Sequence, residues 1–162
     1  DAATVLVPLS GGGLAAGVAA GVKGRSPRTP VIGLTMERGA AMKASLEAGR
    51  PVQVEEVASL ADSLGGGIGI ENAVTFQMCR ALLDDVIPLS EAEIAAGMRH
   101  AYTHEREVIE GAGAVGIAAL LSGRLGKLGG PVTVILSGRN VDMDLHRRVI
   151  NGEADPFREE AA

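Results

Sequence analysis

At 162 residues and 46% hydrophobic content, the chain is long enough to bury one substantial core, and a single domain is the default. A net charge of -5, the lack of any basic run and 2% aromatic content argue against a nucleic-acid partner. No stretch approaches the roughly 18 consecutive apolar residues of a membrane span, and no charged leader precedes a signal-like segment, so a soluble protein without a membrane partner is expected.

Thr4 to Leu9 is a β-branched apolar run that predicts a strand. It ends in Ser10-Gly11-Gly12-Gly13, and Leu14 to Val22 continues as an Ala-rich helix. Beyond the breakers of Gly24 to Pro30, Val31 to Met36 predicts a second buried strand, with a helix over Arg38 to Ala48 that Gly49 and Pro51 end. Val52 to Ile70 is irregular, with glycines at its centre, and reads as a loop suited to lining a site. Val74, Met78 and Leu82 recur at helical spacing within Glu71 to Leu83, and Val86 to Leu89 is a short strand. Ser90 and Glu93 form a capping box that opens a helix in which Ile94, Met98 and Ala101 share a face. Another helix begins after Glu110, at Gly111-Ala112-Gly113-Ala114, and runs to about Leu125 with small residues that permit close packing. Pro131 to Leu136 is the last strong strand, ending in the turn Ser137 to Asn140.

Alternation of strands and helices predicts an α/β fold, a three-layer open and mostly parallel sheet with helices on both faces. The expected division is one domain over residues 1–150 and a loose polar tail over 151–162. The single cysteine, Cys79, lies in an apolar periodic stretch and cannot form an intrachain disulfide, which fits a buried bystander in a reducing cytoplasm.

A glycine cluster between a strand and a helix exposes backbone N–H groups at the positive end of the helix dipole, which suits a phosphate. Ser10 to Leu14 is such a cluster, and the Ser10 hydroxyl adds a donor; the plainer reading is a tight turn without a ligand. The same segment fits a dinucleotide fingerprint loosely, as Gly11-x-Gly13-x-x-Ala16 with Glu37 ending the next strand. His100 and His104 stand one helical turn apart, a spacing that can hold zinc, but no third ligand is evident and a solvated helix face is expected.

Three distant segments, VPLSGGGLAAGVA, VIEGAGAVGIAALL and VTVILSGRNVD, are together similar to fold type II pyridoxal-phosphate (PLP) enzymes of the serine/threonine dehydratase and serine racemase group. The resemblance runs from Val5 to about Asp142, with a looser match of ALADSLGGGIG to the group's cofactor-proximal loop. It implies that Ser10, Gly11, Gly12, Gly13 and Leu14 hold the cofactor phosphate, that Ser137 meets the pyridine nitrogen, and that Asn140 belongs to the same binding turn. Arg139 stands where the group has a second glycine, which leaves the backbone angle of that turn open. Glu110 matches a glutamate near the cofactor, although Gly111 replaces the usual proline; a helix-end charge partner is the alternative. A neutral hydroxyl at the ring nitrogen does not force that nitrogen to stay protonated, and this favours elimination of a β-substituent.

The group's Schiff-base lysine has no counterpart, since Lys23, Lys43 and Lys127 lack its context. The resemblance implies that it lies in a missing amino-terminal half, so this chain alone carries no catalytic residue beyond the supporting Glu110. Many relatives bind a divalent cation through an acidic pair, but Thr35 and Ala41 occupy the matching positions, and no metal site is expected.

The expected function is therefore the carboxyl-terminal part of a PLP-dependent dehydratase, a homodimer in its full form. It would eliminate water from a β-hydroxy amino acid such as L-threonine or L-serine to give a 2-oxo acid and ammonia. The ADSLGGGIG loop and the lost metal ligands resemble the branch associated with ectoine and hydroxyectoine breakdown. The rivals are a NAD(P)-binding Rossmann domain of an oxidoreductase, using Gly11, Gly13 and Glu37, and a non-catalytic domain that kept the fold alone.

Overall fold

A computed structural model describes residues 2–153 and 155–157. Four strands form one parallel sheet: β1 (Thr4–Pro8), β2 (Val31–Met36), β3 (Asp85–Leu89) and β4 (Val132–Val134), in the order β3-β2-β1-β4. Val5 pairs with Val31 on one side and Thr133 on the other, which makes β1 a central strand. Successive strand side chains point to opposite faces, and both faces are apolar because helices cover each.

On one face Val5, Val7, Leu9 and Val31 pack against α1 (Gly13–Arg25), α2 (Ala41–Ala48) and α3 (Thr75–Leu82), with Ala15, Met42, Phe76 and Cys79 filling the space between. On the other, Leu6, Leu34, Ile87 and Leu89 meet α4 (Glu91–His100), α5 (Gly111–Ser122) and α6 (Met143–Ile150) through Ile94, Met98, Val115 and Val149. This is the expected three-layer architecture. Every residue of α5 from Gly111 to Ala119 is buried, since the helix is wedged between the sheet and α4.

Several boundaries differ from the sequence reading for local reasons. Helix α2 starts at Ala41 rather than Arg38 because Gly39 adopts φ +70°. Helix α3 starts at Thr75, where the Asn72 Oδ1 accepts from the Phe76 N–H at 3.0 Å and replaces a missing backbone partner. Helix α5 stops at Ser122 on a left-handed Gly123, and β4 covers only Val132–Val134 of the expected Pro131 to Leu136, although the Ile135 N–H still donates to the Leu6 carbonyl at 3.0 Å. The capping box at Ser90 is present with both of its reciprocal bonds, and the face shared by Ile94, Met98 and Ala101 is buried. After His100 the chain widens into one π-turn, Ala101–Glu105.

Helix α6 has no counterpart in the sequence reading, although Asp142 accepts from the Asp144 and Leu145 N–H groups as an ordinary N-cap. Of the tail expected to be loose, residues 154 and 158–162 lie outside the described residues. The described part is anchored: Arg38 donates to Asp155 at 3.2 Å, and Phe157 packs against the core.

His146 in α6 is 3% exposed, its Nε2 has no partner among the described residues, and its ring stands edge-on to Tyr102 at 5.6 Å. Burial pushes its pKa below the ordinary 6.5, so the folded chain keeps it neutral while the unfolded chain takes up a proton. Its contribution to stability is thus complete above 6.5 and is lost as the pH falls below that value. His146→Phe should narrow the drop in melting temperature between about pH 7.5 and about pH 5.5, measured by thermal unfolding followed by circular dichroism.

Candidate cofactor site at the carboxyl end of the sheet

Strands β1 and β4 end side by side, so the turns that follow them share one edge of the molecule. Between those turns lies a cavity of about 280 Å³ lined by Pro8, Ser10 to Ala15, Ser63, Leu64, Glu110, Ala112, Ser137 and Gly138. Ser10, Gly11, Gly12, Gly13, Leu14, Glu110 and Ser137 thus meet in one place, from three segments far apart in sequence. Open α/β sheets commonly bind ligands at this edge, outside the carboxyl ends of their strands.

Two helices aim their positive ends at the cavity. Gly12 precedes α1 and Glu110 precedes α5, and neither helix start has a side-chain cap, which leaves first-turn N–H groups free to donate. Gly12 adopts φ +93°, and a Cβ there would strike Cys79 Sγ and Met42 Cε at 2.8 Å, so only glycine fits. The positions that a Cβ would take at Gly11 and Gly13 are open, leaving room for a bulky anion to approach the backbone. Among the described residues the Ser10 hydroxyl reaches only the Gly65 carbonyl, at 3.5 Å.

The opposite wall depends on a second close approach. A Cβ on Gly113 would overlap the Ser137 carbonyl oxygen, so glycine lets the turn after β4 lie directly on α5. Within that turn Gly138 takes the left-handed conformation, φ +92°, and Arg139 does not need it. The Arg139 side chain leaves the cavity and pairs with Glu107. The Ser137 hydroxyl has no hydrogen-bond partner among the described residues. Ser63, which the sequence reading did not single out, donates to Glu110 Oε1 at 2.8 Å from a 3-10 turn over Asp62–Leu64.

Asn140 does not line this cavity. It borders a neighbouring one of about 400 Å³, together with Leu60, Val141, Leu145 and Phe157, and Ser63 and Glu110 form the wall between the two.

A neutral donor set, one free hydroxyl and glycines that leave space for an anion fit a phosphorylated pyridine. They do not fit a dinucleotide. Glu37, which would have to meet a ribose, is committed to Arg124 at 2.8 Å and lines other cavities. Arg124 also holds Glu93 at 2.7 Å. Burial alone would raise the Glu93 carboxyl, but Arg124 and the Ser90 groups outweigh it and hold it below the usual carboxylate range.

Other candidate groups lie elsewhere. Cys79 is buried behind Gly12, and burial pushes its thiol up to about 11, too high for a reactive thiolate near neutrality. His100 and His104 stack at 4.4 Å on the surface of the α4 end, and no metal-holding cluster of three ligands occurs among the described residues. Thr35 and Ala41 are buried and bring no carboxylate.

A family model described as pyridoxal-phosphate dependent enzyme matches residues 1–138. A protein of Sinorhizobium fredii provisionally named a threonine dehydratase is 72% identical over 152 residues, covering 94% of this chain and 46% of that relative. The L-threonine ammonia-lyase of Thermotoga maritima is 37% identical over 153 residues, covering 93% of this chain and 37% of that enzyme. Among solved structures, the processed form of threonine deaminase isoform 2 from Solanum lycopersicum superposes with a TM-score of 0.83 at 31% identity, over 93% of this chain and 42% of the other. The chain therefore spans less than half the length of these relatives. The chain belongs to the pyridoxal-phosphate dependent enzyme family, with the fold of its threonine deaminase members, and not to the oxidoreductases.

Proposed function

We propose that this chain is the carboxyl-terminal part of a PLP-dependent ammonia-lyase that eliminates water from a β-hydroxy amino acid, L-threonine or L-serine in type, to give a 2-oxo acid and ammonia. The observation that carries the reading is the single cavity shared by the glycine turn and Ser137. When bound there, PLP supplies an electron sink for the substrate's α-carbon. The N–H groups at the start of α1 and the Ser10 hydroxyl hold its phosphate against the helix dipole. Ser137 offers a neutral hydroxyl to the ring nitrogen. Glu110, steadied by Ser63, fixes the wall beside the ring, and Asn140 lies beyond that wall.

The lysine that bonds the cofactor and most substrate-recognising groups would come from an amino-terminal half, with the full enzyme a cytoplasmic homodimer. Residues 2–150 act as one domain in this proposal, because α6 closes the same core that α4 and α5 build. No helix among the described residues is long and apolar enough to cross a membrane.

The test is the full-length enzyme. It should show a visible cofactor band that borohydride abolishes, and release 2-oxo acid from L-threonine or L-serine. Ser137→Ala should weaken cofactor binding about tenfold, through loss of one buried hydrogen bond, with little change in melting temperature. A full-length enzyme that binds PLP but forms no 2-oxo acid from any β-hydroxy amino acid would overturn the reaction assigned here.

A further inference from the structure

Three consecutive glycines are the most mobile backbone a turn can contain, yet a phosphate site needs its N–H groups aimed before the ligand arrives. The sequence of the turn supplies nothing that could aim them. The restraint comes from α3, on the side of the turn away from the cavity, and none of whose residues lines that cavity.

The Thr75 Oγ1 donates to the Gly11 carbonyl at 2.6 Å, and its Cβ would stand 3.2 Å from a Cβ on Gly12. One turn further along α3, Cys79 Sγ lies 3.7 Å from the Gly12 carbonyl oxygen. Threonine has one hydroxyl proton and two acceptors in reach, the Gly11 carbonyl at 2.6 Å and Asn72 Oδ1 at 3.0 Å. The Asn72 Nδ2 donates into Thr75 Oγ1 at 2.8 Å, and the threonine proton goes to the closer acceptor, Gly11. The same amide donates to the Ile68 carbonyl at 2.8 Å, and its Oδ1 accepts from Phe76 N–H. Asn72 is therefore held on three sides, and the chain Asn72 to Thr75 to Gly11 carries donors in one direction, an arrangement in which each bond strengthens the next.

The peptide unit is planar, with its C=O and the following N–H pointing opposite ways. Pinning the Gly11 carbonyl toward α3 therefore turns the Gly12 N–H away from α3, to the cavity side of the turn. We infer that Thr75, oriented by Asn72, is a positioning residue for phosphate: it never touches the ligand but sets the aim of the glycine-turn donors. The inference rests on the proposed role of Ser10 to Leu14 as phosphate holders.

Because the effect acts on the phosphate alone, it can be separated from general damage. In the full-length enzyme, PLP and pyridoxal, which lacks the phosphate, are titrated separately into wild type, Thr75→Ser and Thr75→Ala. Thr75→Ala should bind PLP about tenfold more weakly and pyridoxal as wild type does, since one aiming hydrogen bond is lost. Thr75→Ser keeps the hydroxyl and should stay within about twofold of wild type for both. Should the alanine variant not fold, Thr75→Cys places a weak donor at the same point and should lose about threefold for PLP alone.

The inference is overturned if the alanine or cysteine variant binds PLP normally, if PLP and pyridoxal weaken together, or if serine fails to rescue. A wild-type enzyme that binds PLP no better than pyridoxal removes the phosphate role of the turn itself, and this inference with it. That result is distinct from a failure confined to the Thr75 variants.

Discussion

Glu91→Ala should cost the chain about 3 kcal/mol of stability, the penalty typical of removing one partner from a buried charged network. Glu91 is 5% exposed at the first turn of α4. Its carboxylate accepts from Ser59 Oγ at 2.6 Å and from the Leu60 N–H at 2.7 Å, and lies 3.5 Å from the Arg38 guanidinium. Alanine would leave a backbone N–H and a hydroxyl buried without an acceptor, at roughly 1–3 kcal/mol each, and would remove a negative charge from a helix start. Arg38 suffers less, because it is partly exposed and keeps Asp155.

The loss should reach the proposed cofactor cavity. Ser59 and Leu60 lead directly into the turn that carries Ser63 to Glu110, so releasing them frees one wall. Glu91→Gln keeps one acceptor oxygen and should lose only about half as much. Denaturant unfolding measures both variants, and an alanine variant within about 1 kcal/mol of wild type would show that the carboxylate does not anchor the loop.

Gly113→Ala should be as damaging, by the opposite route of overpacking. The added Cβ would overlap the Ser137 carbonyl oxygen and stand 3.0 Å from that of Gly138. Neither the buried α5 nor the turn on top of it can give way freely, and forced insertions of this kind cost about 1–3 kcal/mol. Any relaxation must lift the Ser137 turn from α5, so the variant should also lose cofactor affinity by more than about tenfold. Gly17→Ala is the control: it lies in α1, a Cβ there meets nothing within 4 Å, and the change should be neutral or stabilise by up to about 1 kcal/mol. Equal behaviour of the two variants, in melting temperature and in PLP titration, would remove the close-approach explanation.

Much of this molecule is legible from short stretches of sequence, because the signals involved act over a few residues. The strand, glycine turn and helix of Thr4 to Val22, the capping box at Ser90 and the small residues of α5 are all local. Their periodicity is sufficient for a parallel three-layer fold, and three motifs in order are sufficient for the family. Helix α6 is also within reach, through Asp142 and the buried pair His146 and Val149, and is easily missed because its apolar face is short.

What no window of sequence contains is which side chains meet across the fold. The contact of Ser63 with Glu110 spans 47 positions, that of Thr75 with Gly11 spans 64, and Glu91 reaches back to Ser59 across 32. Asn140 follows Ser137 in the turn yet falls on the far side of Glu110. Such pairings have no periodicity, since strand order and the close seat of α5 decide them only when the chain packs. Local sequence determined the glycine turn and what kind of fold would present it; tertiary packing alone decided which distant hydroxyls and carboxylates meet around that turn and the cavity beside it.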